Sequence, residues 1–188
     1  VRTDRPLVLA ITGASGAVLG IEALSALKSA KVAVHLILSR AALRTIALET
    51  DVSADSVRAL ADKVYEEDDI AAAVSSGSFR TQGMLIAPCS IKTLSAIANS
   101  YTENLIARAA DVCLKERRKL VLMVRETPLH KGHLELMTRA TEMGAVILPP
   151  MAAFYHKPQT ALDIARQAVG KALDQFEIEH SLFKRWEG

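Results

Sequence analysis

The sequence predicts an α/β fold, a mainly parallel sheet covered by helices on both faces, and three observations predict it. Short apolar runs alternate with amphipathic helical stretches along the chain, and no hairpin turn joins any two strands. The runs, such as Leu7-Val8-Leu9-Ala10-Ile11, are continuously apolar, as strands buried on both faces require. Of the 188 residues 50% are hydrophobic but only 4% aromatic, so a core of Ala, Leu, Ile and Val is expected. This length suits a single domain over 1–188.

The first strand, Leu7 to Ile11, runs into Thr12-Gly13-Ala14-Ser15-Gly16-Ala17 and then a helix from about Val18 to Ala30. Small residues there let backbone N–H groups approach an anion at a helix N-terminus. The spacing is neither the three-glycine dinucleotide fingerprint nor a P-loop, so the corner reads either as a phosphate cradle or as a tight turn. Val32 to Leu38 forms the second strand, and Ser39 caps the next helix. Ser53 opens a further helix to about Lys63, and Glu66-Glu67-Asp68-Asp69 reads as a solvated face with no chemistry assigned.

Met84 to Ala87 is the third strand, stopped by Pro88, and Ser90 with Thr93 caps the helix that follows. Asn104 caps a helix from Leu105 to Glu116, whose basic end, Lys115 to Lys119, suits the helix dipole. Leu120 to Val124 is the fourth strand and delivers Arg125 and Glu126 to its carboxyl end, an expensive place for charges that are neither paired nor used. A helix from about His133 to Met143, a fifth strand at Ala145 to Leu148, a proline-stiffened loop bearing Phe154, Tyr155 and His156, and a last helix from about Ala161 to Phe176 complete the chain.

Composition narrows the function classes. Lys and Arg total 23 against 21 for Asp and Glu, a net charge of +2 with the signs mixed, so no nucleic-acid footprint is present. No apolar stretch is long enough for a membrane span and the N-terminus lacks a secretory pattern, so a cytoplasmic protein is expected. The two cysteines, Cys89 and Cys113, read as packed, reduced thiols. His130 and His133 form an H-x-x-H pair without further ligands, and Ser15 is not set in G-x-S-x-G, so neither a metal site nor a serine triad is expected.

In a parallel sheet, ligands bind beyond the carboxyl ends of the strands. That edge is expected to gather Ser15, Ser39, Ser90, Thr93, Arg125, Glu126 and Tyr155, a set of hydroxyls and one guanidinium that suits a phosphorylated cofactor better than a metal.

The blocks Thr12-Gly13-Ala14-Ser15-Gly16-Ala17, Ser76-Gly77-Ser78-Phe79, Pro88-Cys89-Ser90-Ile91-Lys92-Thr93-Leu94, Arg108-Ala109-Ala110-Asp111-Val112, Leu114-Lys115-Glu116-Arg117-Arg118, Arg125-Glu126-Thr127-Pro128-Leu129 and Phe154-Tyr155-His156 together resemble the UbiX flavin prenyltransferases, a family named for ubiquinone biosynthesis. The resemblance implies a Rossmann-like, flavodoxin-like three-layer sandwich. It also implies a homododecamer with active sites between subunits, the C-terminal helix and tail from about 161 packing at a subunit interface. The implied reaction joins the dimethylallyl group of dimethylallyl phosphate to N5 and C6 of reduced FMN, without a metal. The prenylated FMN then serves a UbiD-type decarboxylase.

By position, the resemblance assigns Gly13, Ala14, Ser15, Ser39, Ser90, Ile91, Lys92, Thr93 and Arg125 to FMN, and Arg108, Lys115, Tyr155 and Lys171 to the dimethylallyl phosphate, with Ser15, Glu126 and Lys115 in catalysis. These residue types suit the chemistry, because fixed cations hold a phosphate dianion as its C–O bond breaks, an aromatic wall shields an allylic cation, and Glu126 and Ser15 pass protons. The chain departs from many relatives in carrying Leu19 for Tyr, Ala152 for Pro and Lys171 for Arg. Two other readings share the fold: an FMN-dependent decarboxylase of the cysteine decarboxylase type, against which Pro150-Met151-Ala152 lacks the expected Asn, and a non-catalytic flavin carrier.

Overall fold

The computed structural model describes residues 5–186. Six parallel strands, β1 (Leu7–Ile11), β2 (Val34–Leu38), β3 (Lys63–Glu66), β4 (Gly83–Cys89), β5 (Lys119–Val124) and β6 (Val146–Ile147), form one sheet in the order β3-β2-β1-β4-β5-β6. The order reverses between β1 and β4, and a crevice opens beyond their carboxyl ends at such a switch point.

Alternation along each strand sends its side chains into two cores. Leu7, Leu9, Ile11, Leu36 and Leu85 pack against α1 (Ala17–Ser29) and α7 (Ala161–Asp174), with α2 (Arg40–Glu49) and α3 (Ala54–Arg58) on the same face. Val8, Ala10, Met84, Ile86 and Leu122 face α4 (Ile91–Ala98), α5 (Leu105–Lys115) and α6 (Lys131–Glu142). The expected three-layer sandwich is therefore present. Helix α7 belongs to the chain's own core, burying Ala165, Ala168, Val169, Ala172 and Leu173.

The structure corrects three expectations. The helix opened by Ser53 ends at Arg58 rather than near Lys63, and Lys63 to Glu66, to which sequence reading assigns no strand, is a sixth strand. The missing signal lies in a tertiary clasp: the Asp62 N–H donates to Val34 O at 3.0 Å and the Asp62 carboxylate accepts from Val34 N–H at 2.8 Å, seating β3 against β2. Strand β4 does not stop at Pro88 but runs to Cys89, since a register shift between Ile86 and Cys89 lets the sheet tolerate a residue without an N–H. The acidic run is not simply solvated: Glu67 accepts from the backbone N–H of Arg40 at 2.9 Å, and Asp68 pairs with the Arg40 guanidinium at 2.9 Å.

Among the described residues, no helix is long and apolar enough to cross a membrane.

Candidate functional site

A cleft of about 410 Å³ opens at the switch point, lined among others by Thr12, Gly13, Ser39, Ser90, Lys92 and Thr93. Its walls pair small apolar side chains, Ala41, Ala96, Ile106 and Ala107, with these hydroxyls. Two hydroxyls and one side-chain amide sit at this edge because they cap helices that start there, each satisfying a first-turn N–H. Ser39 accepts from Ala42 N–H at 3.0 Å, Ser90 from Thr93 N–H at 3.3 Å, and Asn104 from Ala107 N–H at 2.9 Å. The lining also carries Arg40, Glu67 and the Lys92–Glu103 ion pair at 3.1 Å, and a slot that combines alanine contacts, hydroxyls and two cations has the chemistry to take a flat ring system bearing a phosphate, which is what FMN presents.

Thr12 builds the floor. It is 2% exposed; its hydroxyl donates to Pro88 O at 2.7 Å and accepts from Ser90 N–H at 2.9 Å, tying the end of β1 to the end of β4. Gly13 is required beside it, because a Cβ there would run into Ala41 at the start of α2. Gly16, with φ 103° and ψ 34°, adopts the left-handed conformation that turns the chain into α1.

The corner at the α1 N-terminus already carries an anion. The Glu49 carboxylate accepts from Gly16 N–H at 2.8 Å and from Ala17 N–H at 3.0 Å. Partial burial raises the Glu49 pKa, but the Ser15 hydroxyl, these two amides and the charge of Arg125 outweigh it and hold the carboxyl below its ordinary value. Ser15, Glu49 and Arg125 thus form one electrostatic group beside the cleft. Sequence reading passed over Glu49 and gave Thr12, the first residue of the corner block, no role of its own. A weak signal for Glu49 existed: a carboxylate ending α2 opposes that helix's own dipole and so suits the start of another.

The remaining expected residues do not all converge in one chain. Arg125 and Glu126 follow the carboxyl end of β5, both exposed, with Arg125 N–H donating to Cys89 O at 3.1 Å and the Glu126 carboxylate accepting from Thr127 N–H at 2.9 Å. Ile91 packs against the core and lines a different groove. Tyr155 accepts from Gln167 at 3.4 Å and meets Trp186 edge-on, the ring centroids 5.9 Å apart.

Lys115 ends α5, four residues before β5 begins, so it lies at the opposite, amino-terminal edge of the sheet. Arg108, about two turns earlier on the same helix, donates to Ser75 O at 3.1 Å and pairs with Asp111 at 2.9 Å. Lys171, near the end of α7, is 3.7 Å from Asp174. One chain therefore presents the FMN-type cleft at one sheet edge and a cation carrying the phosphate assignment at the other.

A larger hollow of about 760 Å³ lies between α4 and α6 and shares only Lys92 with the cleft. His130 and His133 line it, their ring centroids 3.6 Å apart, and His130 Nδ1 accepts from Gly132 N–H at 3.1 Å as the cap of α6. Among the described residues no three His, Cys, Asp or Glu side chains group as metal ligands. Both thiols are buried, and burial pushes the Cys113 thiol up to about 12 and that of Cys89 higher still, so both are protonated at neutral pH.

The model of the family described as Flavoprotein matches residues 2–175. The chain is 59% identical over 182 residues to the flavin prenyltransferase UbiX of Thauera aromatica, covering 97% of this chain and 94% of that one. Its backbone superposes with TM-score 0.97 and 51% identity, over 99% of both chains, on a crystal structure of AnUbiX (PadA1) in complex with FMN and dimethylallyl pyrophosphate. It matches a dodecameric FMN-dependent UbiX-like decarboxylase of Escherichia coli O157:H7 with TM-score 0.95 and 50% identity, over 97% of this chain and all of that one.

Proposed function

This chain belongs to the UbiX flavin prenyltransferase family, and from that premise we propose that it joins a dimethylallyl group, donated by dimethylallyl phosphate, to N5 and C6 of reduced FMN, releasing phosphate. The observation that carries the reading is the convergence of Gly13, Ser39, Ser90, Lys92 and Thr93 on one cleft at the switch point, with Ser15, Glu49 and Arg125 grouped beside it.

The cleft residues hold the flavin, which supplies the two nucleophilic positions of the reaction. Ser39, Ser90 and Thr93 line the cleft wall with hydroxyls, while Ala41, Ala96 and Ala107 give a ring system apolar contact. Glu49 orients the Ser15 hydroxyl, and Ser15 and Glu126 hold and move protons at this edge. Arg108, Lys115 and Lys171 bind the phosphate of the dimethylallyl donor, and Tyr155 walls the prenyl group from water.

Because Lys115 and the cleft lie at opposite edges of one sheet, a complete site needs a second copy of the chain, and the dodecameric relative supplies the precedent. Met151, Phe154 and Trp186, each about 70% exposed, give the 149–186 segment an apolar surface suited to such contacts. The product passes to a UbiD-type decarboxylase in the cytoplasm.

Anaerobic incubation with reduced FMN and dimethylallyl phosphate tests the reading: prenylated flavin, detected by mass, and stoichiometric phosphate are expected. Unchanged flavin with no phosphate overturns it. The cysteine-decarboxylase reading is disfavoured by Ala152, and the carrier reading gives no purpose to Lys115, Glu126 and Lys171 together.

A further inference from the structure

All three cations assigned to the phosphate are partnered within the chain, but not alike. Asp111, which pairs with Arg108 at 2.9 Å, is an ordinary neighbour one helical turn away. Asp174, 3.7 Å from Lys171, is shared with Arg185 at 2.6 Å and His180 at 3.2 Å. The Lys115 ammonium instead donates to the carboxylate of the next residue, Glu116, just past the end of α5.

The 76–79 loop lies against this pair, which stays partly exposed. Arg118 donates to the carbonyls of Gly77 and Phe79 and so holds the loop over the end of α5. Gly77 then sits so close that a Cβ would lie 2.7 Å from Lys115 Nζ and would run into the Glu116 carboxylate. Hydrogen bonding and charge from Lys115 hold the Glu116 carboxyl below its ordinary range, so it is ionised at neutral pH. Among the described residues, Glu116 has no other ion-pair partner.

We propose that Glu116 is a positioning residue for Lys115: its carboxylate fixes the ammonium under the Gly77 loop before substrate arrives, gives it up to the incoming phosphate and reclaims it as inorganic phosphate leaves. The proposal rests on the reading of Lys115 as a phosphate ligand. A phosphate dianion outcompetes a single carboxylate for one ammonium because it offers more charge and more acceptors, and the returning carboxylate lowers the hold on the product. The exchange sets affinity at a compromise, with the cation neither lost to solvent nor bound too tightly to phosphate.

The test uses the purified oligomer and its Glu116→Gln, Glu116→Asp, Lys115→Met and Lys115→Met/Glu116→Gln variants, with binding of inorganic phosphate measured by calorimetry alongside steady-state kinetics. Glu116→Gln is expected to tighten inorganic phosphate binding by about two- to fivefold, the range of a half-exposed ion pair, and to lower KM for dimethylallyl phosphate by a similar factor while product inhibition deepens. Glu116→Asp restores values close to the parent, and the effect of Glu116→Gln disappears in the Lys115→Met background. If Glu116→Gln leaves phosphate binding and KM unchanged while Lys115→Met weakens both, the role of Glu116 is wrong and that of Lys115 stands. If Lys115→Met also changes neither, the phosphate reading of Lys115 falls and takes this one with it.

Discussion

The hydroxyl of Thr12 accepts a hydrogen bond from the backbone N–H of Ser90 at 2.9 Å, across 78 residues of sequence and across the point where strand order reverses. The same hydroxyl donates to Pro88 O, so one buried side chain holds the two strand ends that frame the cleft. Replacing it with the isosteric Thr12→Val leaves the part-buried Ser90 N–H without its acceptor, while Pro88 O keeps only the Thr12 backbone N–H at 3.3 Å, which costs about 2 kcal/mol. A lowered urea midpoint with weakened FMN binding is the expected pair of results. A variant of parental stability that binds FMN normally would show that the link is dispensable.

Glu49 makes stability at acid pH a readout of the α1 corner. Its pKa is depressed in the folded state, so its contribution is fully present above the ordinary carboxyl value of 4.5 and is lost as pH falls through the lower, folded value. Glu49→Gln is expected to be less stable than the parent at pH 7, and the gap should close as the pH falls through the carboxyl range. Chemical denaturation at a series of pH values reads this directly, and a gap of constant size would refute it.

Glu126 stands exposed at the end of β5, where its carboxylate accepts from the next backbone N–H. Glu126→Gln should keep FMN affinity and lose about 100-fold in turnover, the usual scale for a missing proton-transfer group. Parental rates would remove Glu126 from the mechanism.

Lys171 offers a point charge at a position where the family resemblance leads one to expect a guanidinium, and it lies 3.7 Å from Asp174. Lys171→Arg should lower KM for dimethylallyl phosphate by about two- to fivefold through bidentate contact. A complete loss of activity would mean that the phosphate binds elsewhere.

Opposite sheet edges for Lys115 and Glu126 predict complementation. Lys115→Met and Glu126→Gln oligomers should each be nearly inactive, whereas co-expression of the two chains should recover activity, because some sites then draw both intact residues from different copies. No recovery in verified mixed oligomers would place the whole site within one chain.

Much of this architecture was legible in the residue order. Continuous apolar runs and helical spacing determine a doubly covered parallel sheet, because only strands buried on both faces need no polar alternation. Ser39, Ser90 and Asn104 announce helix starts locally, since a cap acts within three residues of its own position, and each falls on the cleft. What only the tertiary structure decided depends on groups far apart in the chain. The edge strand β3 exists through the Asp62–Val34 clasp, the floor of the cleft through Thr12 and Ser90, and the filled anion corner through Glu49 on a different helix. The separation of Lys115 from the cleft is likewise set by sheet direction, which no local pattern encodes: a residue closing a helix before a parallel strand must lie at that strand's amino end.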